Sequence, residues 1–142
     1  MRLKAPTTRH DKRVVFLESL AVLAGFRESI GLQLPDGCRP DVLKWNSGRR
    51  ALFIGDAKDT ETSGNRETQA RLRRYFEWLS ASVEAGGNAV FAVCAGWEEY
   101  PSRWADTIRA LALESSMESR RDGFARFPSG MSVWWSVFAK DL

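Results

Sequence analysis

The sequence predicts an α/β protein in which one mixed β-sheet carries helices on both faces. Three observations lead there. Amphipathic helical periods over 9–24, 66–84 and 104–117 alternate with extended runs. The run 89–95, Ala-Val-Phe-Ala-Val-Cys-Ala, is apolar throughout, as a strand buried on both faces must be. A helix separates that run from an earlier strand, which is how parallel neighbours are joined. At 142 residues the chain suits a single domain over 1–142, with 1–8 expected as a loose arm.

In the first helix Val14, Leu17, Ala21 and Ala24 recur at spacings of three and four, and Leu20 and Leu23 widen the stripe. Thr8 suits the N-cap, Asp11 the first turn, and Gly25 the stop. Glu18 stands mid-helix among apolar neighbours. Residues 26–34 read as a strand, Pro35-Asp36-Gly37 as a turn and 38–45 as a second strand. Asn46-Ser47-Gly48 turns the chain into a third strand over 51–57, completing an antiparallel meander. A polar loop, 59–65, leads to the second helix, where Leu72, Phe76, Leu79 and Val83 form the apolar stripe, with Tyr75 alongside, and Gly86-Gly87 ends it. Residues 96–102 form a loop. The third helix faces Ile108, Leu111 and Ala112 inward. The charged stretch 118–123 reads as a turn, and 124–127 and 131–138 as two short final strands.

Composition narrows the chemistry. A hydrophobic fraction of 44% and an aromatic fraction of 11% exclude a disordered chain. No apolar run approaches the roughly 18 residues that cross a bilayer, so no membrane association is expected. The basic N-terminal decapeptide lacks an apolar signal core, and secretion is not expected. Two cysteines, Cys38 and Cys94, can make neither a disulfide framework nor a Cys₄ zinc site, which points to reduced thiols in a cytoplasmic setting. They read as small hydrophobes, and Trp134 and Trp135 as core or interface anchors. The single histidine, His10, lies near an end expected to fray, which disfavours Ser-His-Asp, Cys-His and HExxH chemistry. Carboxylates, lysine and a hard metal ion remain. A net charge of +3, carried mainly by arginine, is compatible with a polyanionic partner.

The residues that carry chemistry flank the hairpin. Arg39-Pro40-Asp41 opens its first strand, and Gly55-Asp56-Ala57-Lys58 closes its second. Alternation puts Asp41, Leu43 and Trp45 on one face, and Leu52, Ile54, Asp56 and Lys58 on one face of the next strand. A four-residue turn over 46–49 would set Asp41 opposite Ile54 and make Asp56 its diagonal neighbour, about 7–8 Å away between backbones. A three-residue turn would flip the second strand and separate the acids. Paired carboxylates with water completing the sphere suit Mg²⁺, which polarises phosphoryl oxygens, while a nearby lysine orients water or balances charge.

Arg39-Pro40-Asp41 followed by Asp56-Ala57-Lys58 resembles the PD-(D/E)xK nuclease superfamily, with its three-layer, restriction-endonuclease-like fold. The likeness in element order runs from about residue 9 to 95. It implies Asp41 and Asp56 as metal ligands, with the Ala57 carbonyl beside them, Lys58 as the catalytic lysine, and Glu18 holding a metal-bound water or a second ion. Gln69 falls where several branches keep a polar active-site residue. The Gln-x-x-x-Tyr pattern of one branch is missing, since Arg73 stands four residues after Gln69, and so is the cysteine cluster of iron–sulfur members. The implied activity is Mg²⁺-dependent hydrolysis of DNA phosphodiesters, preferably endonucleolytic, with Mn²⁺ able to substitute. Arg66, Arg71, Arg73 and Arg74 would track the phosphates. A homodimer would suit cutting both strands of a duplex. The alternatives are an inactive binding or scaffolding module of the same fold, and a nuclease subunit that needs a protein partner for target recognition.

Overall fold

The structure, a computed structural model, describes residues 9–29, 39–58, 64–96 and 104–139. The arm at 1–8, the Thr8 cap, the turn at 35–37, Cys38 and most of the two polar loops fall outside the described residues.

Helix α1 (Arg9–Leu23) is followed by a two-residue strand, β1 (Glu28–Ser29), and by β2 (Val42–Asn46) and β3 (Ala51–Ala57). Next come α2 (Arg66–Glu84), β4 (Asn88–Gly96), α3 (Trp104–Glu114), β5 (Glu118–Arg126) and β6 (Met131–Ala139). The strands form one six-stranded sheet in the order β1-β2-β3-β4-β6-β5. Only β3 and β4 are parallel, joined by α2 as the apolar run predicts, and the other neighbours are antiparallel. All of β3 is buried, and so is β4 beyond Val90.

Alternation along these central strands feeds two cores. On one face Ile54, Phe91, Val93, Trp134 and Phe138 meet Leu72, Phe76 and Leu79 of α2 and Trp104, Ile108 and Leu111 of α3. On the other, Phe53, Ala92, Cys94 and Val133 meet Leu17 and Ala21 of α1. Among the described residues the result is three layers with α1 alone on one side. Among the described residues no helix is long and apolar enough to cross a membrane.

All three helices stop the same way. The residue after the cap turns left-handed and two amides reach back into the last turn, as Phe26 to the Ala21 carbonyl, Gly87 to Ser82 and Met117 to Ala112. Gly25 and Gly86 take the positive φ without strain, whereas α3 uses Ser116 at φ 58°.

Three expectations need correction. The third helix ends at Glu114, three residues early, because Ser116 terminates it. The stretch 118–123 is part of β5, a nine-residue strand, and no turn. It is an edge strand with a bulge between Ser119 and Arg121, and its charges project into solvent, which hides the alternation that marks a strand. The expected strand 38–45 begins only at Val42 in the described chain, because Pro40 offers no amide to a ladder.

Candidate functional site

The β2–β3 register differs from the expected one by two residues. Asn46 pairs with Ala51 and Val42 with Gly55, so the turn spans 47–50. A shift of two preserves the faces, and it brings Asp41 and Asp56 from diagonal to directly facing positions just beyond the last ladder pair. There the carboxylates replace the backbone ladder. The Asp41 amide donates to Asp56 Oδ1 at 3.2 Å, and the Ala57 amide donates to Asp41 Oδ2 at 2.8 Å. Each acid thus has one oxygen fixed by the opposite strand. These bonds satisfy two amides that the splayed strand ends would otherwise leave unpaired.

Lys58 follows two residues after Asp56 and shares its face. Its Nζ lies 3.2 Å from Asp56 Oδ2, and 5.2 Å from the centre of the Trp104 ring at the start of α3. Asp56 is 2% exposed, and its Oδ2 accepts no hydrogen bond among the described residues. The Lys58 ammonium is the partner of that oxygen among the described residues. Burial pushes the Asp56 carboxyl above its ordinary value. The Lys58 charge opposes this without cancelling it, and the Asp41 charge adds to it.

Backbone contacts hold the lysine segment in place. The Lys58 amide donates to the Cys94 carbonyl at 2.9 Å, extending the parallel pairing, and Arg13 Nη1 donates to the Lys58 carbonyl. Arg13 is 3% exposed. Tyr75 of α2 donates through its hydroxyl to the Arg39 carbonyl at 3.3 Å, holding the chain just ahead of Asp41. Burial keeps the Cys94 thiol protonated, pushed up to about 12 in spite of the Arg13 charge, as befits a small hydrophobe.

Asp41, Asp56, Ala57 and Lys58 therefore come together as the sequence suggests. Glu18 does not join them. It lies on α1, against the opposite face of the sheet, 51% exposed, with its Oε1 3.9 Å from Lys44 Nζ. Lys44 shares the α1 side with Val42, which explains the pairing. Gln69 is half-buried in the first turn of α2, at the end of the sheet where β3 finishes. Arg66, Arg71, Arg73 and Arg74 are exposed along α2, and Arg73 is engaged by Glu114 at 3.1 Å.

The sequence reading missed His10 and Arg13. His10 Nε2 lies 3.3 Å from Asp41 Oδ1, so the residue set aside as terminal is the one from α1 that reaches the acids. A signal for Arg13 was present: it falls in step with Leu17 and Ala21, a cation on the buried stripe of the helix.

Asp41 and Asp56 are the described residues whose donor chemistry would suit a divalent cation. Each carboxylate is oriented by a backbone amide of the opposite strand, and hard oxygens of this kind suit Mg²⁺. Among the described residues no group of three or more His, Cys, Asp or Glu side chains gathers to hold a metal. Comparison of the chain with protein-family models, with curated proteins and with solved structures gave no match.

Proposed function

We propose that the chain is a metal-dependent nuclease of the PD-(D/E)xK kind that hydrolyses phosphodiester bonds in nucleic acid, DNA before RNA. The observation that carries this reading is the meeting of Asp41 and Asp56 across two strand ends, with Lys58 Nζ 3.2 Å from the buried Asp56 Oδ2. Two buried or half-buried carboxylates facing each other cost stability with one lysine between them, and a divalent cation would offset that cost.

Asp41, Asp56 and the Ala57 carbonyl would hold Mg²⁺ or Mn²⁺. When bound, the ion polarises a phosphoryl oxygen and lowers the pKa of water. The chain supplies the rest. Lys58 balances charge on Asp56 and presents its ammonium where an attacking water or a phosphate oxygen would lie. The Trp104 ring and the low exposure of Lys58, 12%, keep bulk water from its side chain. Arg13 fixes the Lys58 backbone, and His10 braces Asp41. Water displaces the 3′ oxygen from phosphorus, leaving a 5′-phosphate and a 3′-hydroxyl.

The test is incubation of the purified chain with circular and linear, single- and double-stranded DNA, with EDTA, Mg²⁺ or Mn²⁺. Cleavage that needs metal and is lost in Asp56→Ala and Lys58→Ala supports the reading, and cleavage unchanged in both variants refutes it. A second reading, a non-cutting module of the same fold, is favoured by the position of Glu18, which leaves two acids at the site among the described residues. Such a module would show no Mn²⁺ binding that depends on Asp41.

A further inference from the structure

Helix α1 packs on β2, β3 and β4, and a cavity of about 420 Å³ opens along its flank, over β4, β6 and β5. The register builds its floor. Phe53, Val90, Val137 and Arg121 stand side by side across four strands, and Ala92, Trp135 and Gly123 form the next row, all on the α1 side. Val90, Trp135 and Val137 are half-buried. The Trp135 indole lies across Gly123, where a Cβ would fall 1.9 Å from its Cζ2, so this row needs a glycine. Leu17 and Leu20 make the helix wall. The two ends differ. At one, Phe127 meets Phe16 of α1 edge-on, with ring centres 4.9 Å apart, and closes the space. Toward the other, where β3 and β4 begin, Arg49, Asn88 and Arg121 are the polar members of the described lining, and all three are exposed. That end is opposite the one holding Asp41 and Asp56.

We propose that this cavity takes a single unbranched apolar chain with an anionic head, a free medium-chain carboxylate, the chain lying beside α1 over Trp135 and the head between Arg49 and Arg121. The site is independent of the nuclease reading of the two acids. Its volume falls in the range of small-ligand sites, which are mostly apolar with a few polar groups that fix orientation. Here those groups gather toward one end, and the closed end offers a second polar group nothing, so the ligand has one head and one tail. Arginine gives the sign of the head, since a guanidinium holds a carboxylate through two parallel hydrogen bonds. The long arginine stems can lie along the apolar rim while their charges stay in water, which is where a carboxylate on a buried tail would emerge. A nucleotide suits the arginines equally well but not the floor, where its base and sugar would find no hydrogen-bond partners among the described lining residues.

Isothermal titration of the full chain with octanoate, decanoate and decyltrimethylammonium, each below its micelle-forming concentration, tests this. Decanoate should bind saturably with a Kd below about 1 mM, and about tenfold more tightly than octanoate, since each buried methylene strengthens binding about three- to fourfold. Decyltrimethylammonium, with the same tail and the opposite charge, should bind at least about fivefold more weakly than decanoate. Val137→Phe, which fills the cavity without changing charge, should weaken decanoate binding more than tenfold. Val15→Phe, the same enlargement at an exposed position of α1 outside the cavity, should change it by less than twofold. Arg49→Gln/Arg121→Gln, at exposed positions that leave the core intact, should weaken decanoate about fivefold and leave decyltrimethylammonium no weaker. This last pair carries the test if Val137→Phe does not fold. No saturable decanoate binding overturns the proposal, as do equal affinities for the two carboxylates, equal losses in Val137→Phe and Val15→Phe, or a cationic head bound as tightly as the anionic one.

Discussion

Asp56 and Asp122 are two aspartates on the same face of one sheet, in opposite conditions. Asp122, on β5, accepts hydrogen bonds from Ser119, Ser136 and Arg109, the last at 2.7 Å. Burial alone would raise its pKa, but those bonds and the Arg109 charge outweigh burial and hold the carboxyl below its ordinary value. Asp56 is far more deeply buried, has one backbone donor on one oxygen and the Lys58 ammonium beside the other, and is raised because burial outweighs them. One aspartate is finished by its neighbours, and the other is left incomplete. Helix α3 serves both, with Trp104 beside Lys58 and Arg109 on Asp122. The difference teaches that a partner's presence says less than whether every lone pair is used: a satisfied acid holds structure, and an unsatisfied one is available to a ligand.

The largest expected effect follows from exchanging the two roles. Asp56→Asn should reduce metal-dependent cleavage by about a thousandfold, whereas Asp122→Asn should leave it within about twofold. Steady-state assays in Mn²⁺ measure both, and comparable losses would erase the distinction. Next, Lys58→Met should reduce cleavage about a hundredfold and move the optimum to higher pH, since Asp56 then lacks its nearby cation.

Stability should separate the acids in the opposite sense. With its folded pKa raised, metal-free Asp56 favours the fold most below the ordinary value of 3.8, and that contribution is lost as pH rises through the folded value. With its folded pKa lowered, Asp122 contributes fully above 3.8, and loses it as pH falls through the folded value. Thermal melts in EDTA should therefore show Asp56→Asn gaining on the wild type as pH climbs above about 4. Asp122→Asn should melt lower near neutrality by about 3 °C, reflecting about 1 kcal/mol after solvent screening, and the gap should close in acid. Parallel pH dependences for the two variants would contradict the assignment. The smallest effect is reserved for Glu18→Gln, which should change cleavage by less than about twofold and stability by less than about 0.5 kcal/mol, because Glu18 is half exposed and its contact with Lys44 is long, at 3.9 Å.

Much of this arrangement was legible in the chain. β3, α2 and β4 carry strong, unambiguous periods, and the spacing of Asp56 and Lys58 fixes their shared face in any strand. The pairing of Asp41 with Asp56 was legible only to within two residues, because the turn 47–50 and a turn one residue earlier read alike in composition. β5 was hidden by its edge position, where Glu118, Arg120 and Arg121 meet water and the two-residue period has no core to report. Which residue of α1 reaches the acids was not legible. Glu18 has the expected chemistry, but the helix buries Leu17 and Ala21 and passes the end of the sheet with its first turn, so His10 and Arg13 arrive instead.

The turn joining β2 to β3 lies at the opposite end of the hairpin from both acids, yet its length determines whether they meet. Removing one residue from 47–50 would rotate Asp41 to the α1 side while Asp56 kept facing α2 and α3, and the interlocking amide contacts would have no counterpart. Removing two would keep the faces and slide one acid past the other by a full pleat. The facing of Asp41 and Asp56 is thus set from a loop tip at the far end of the hairpin, where Ser47 donates through its amide and hydroxyl to Glu28 and Arg50 takes a left-handed φ of 52°.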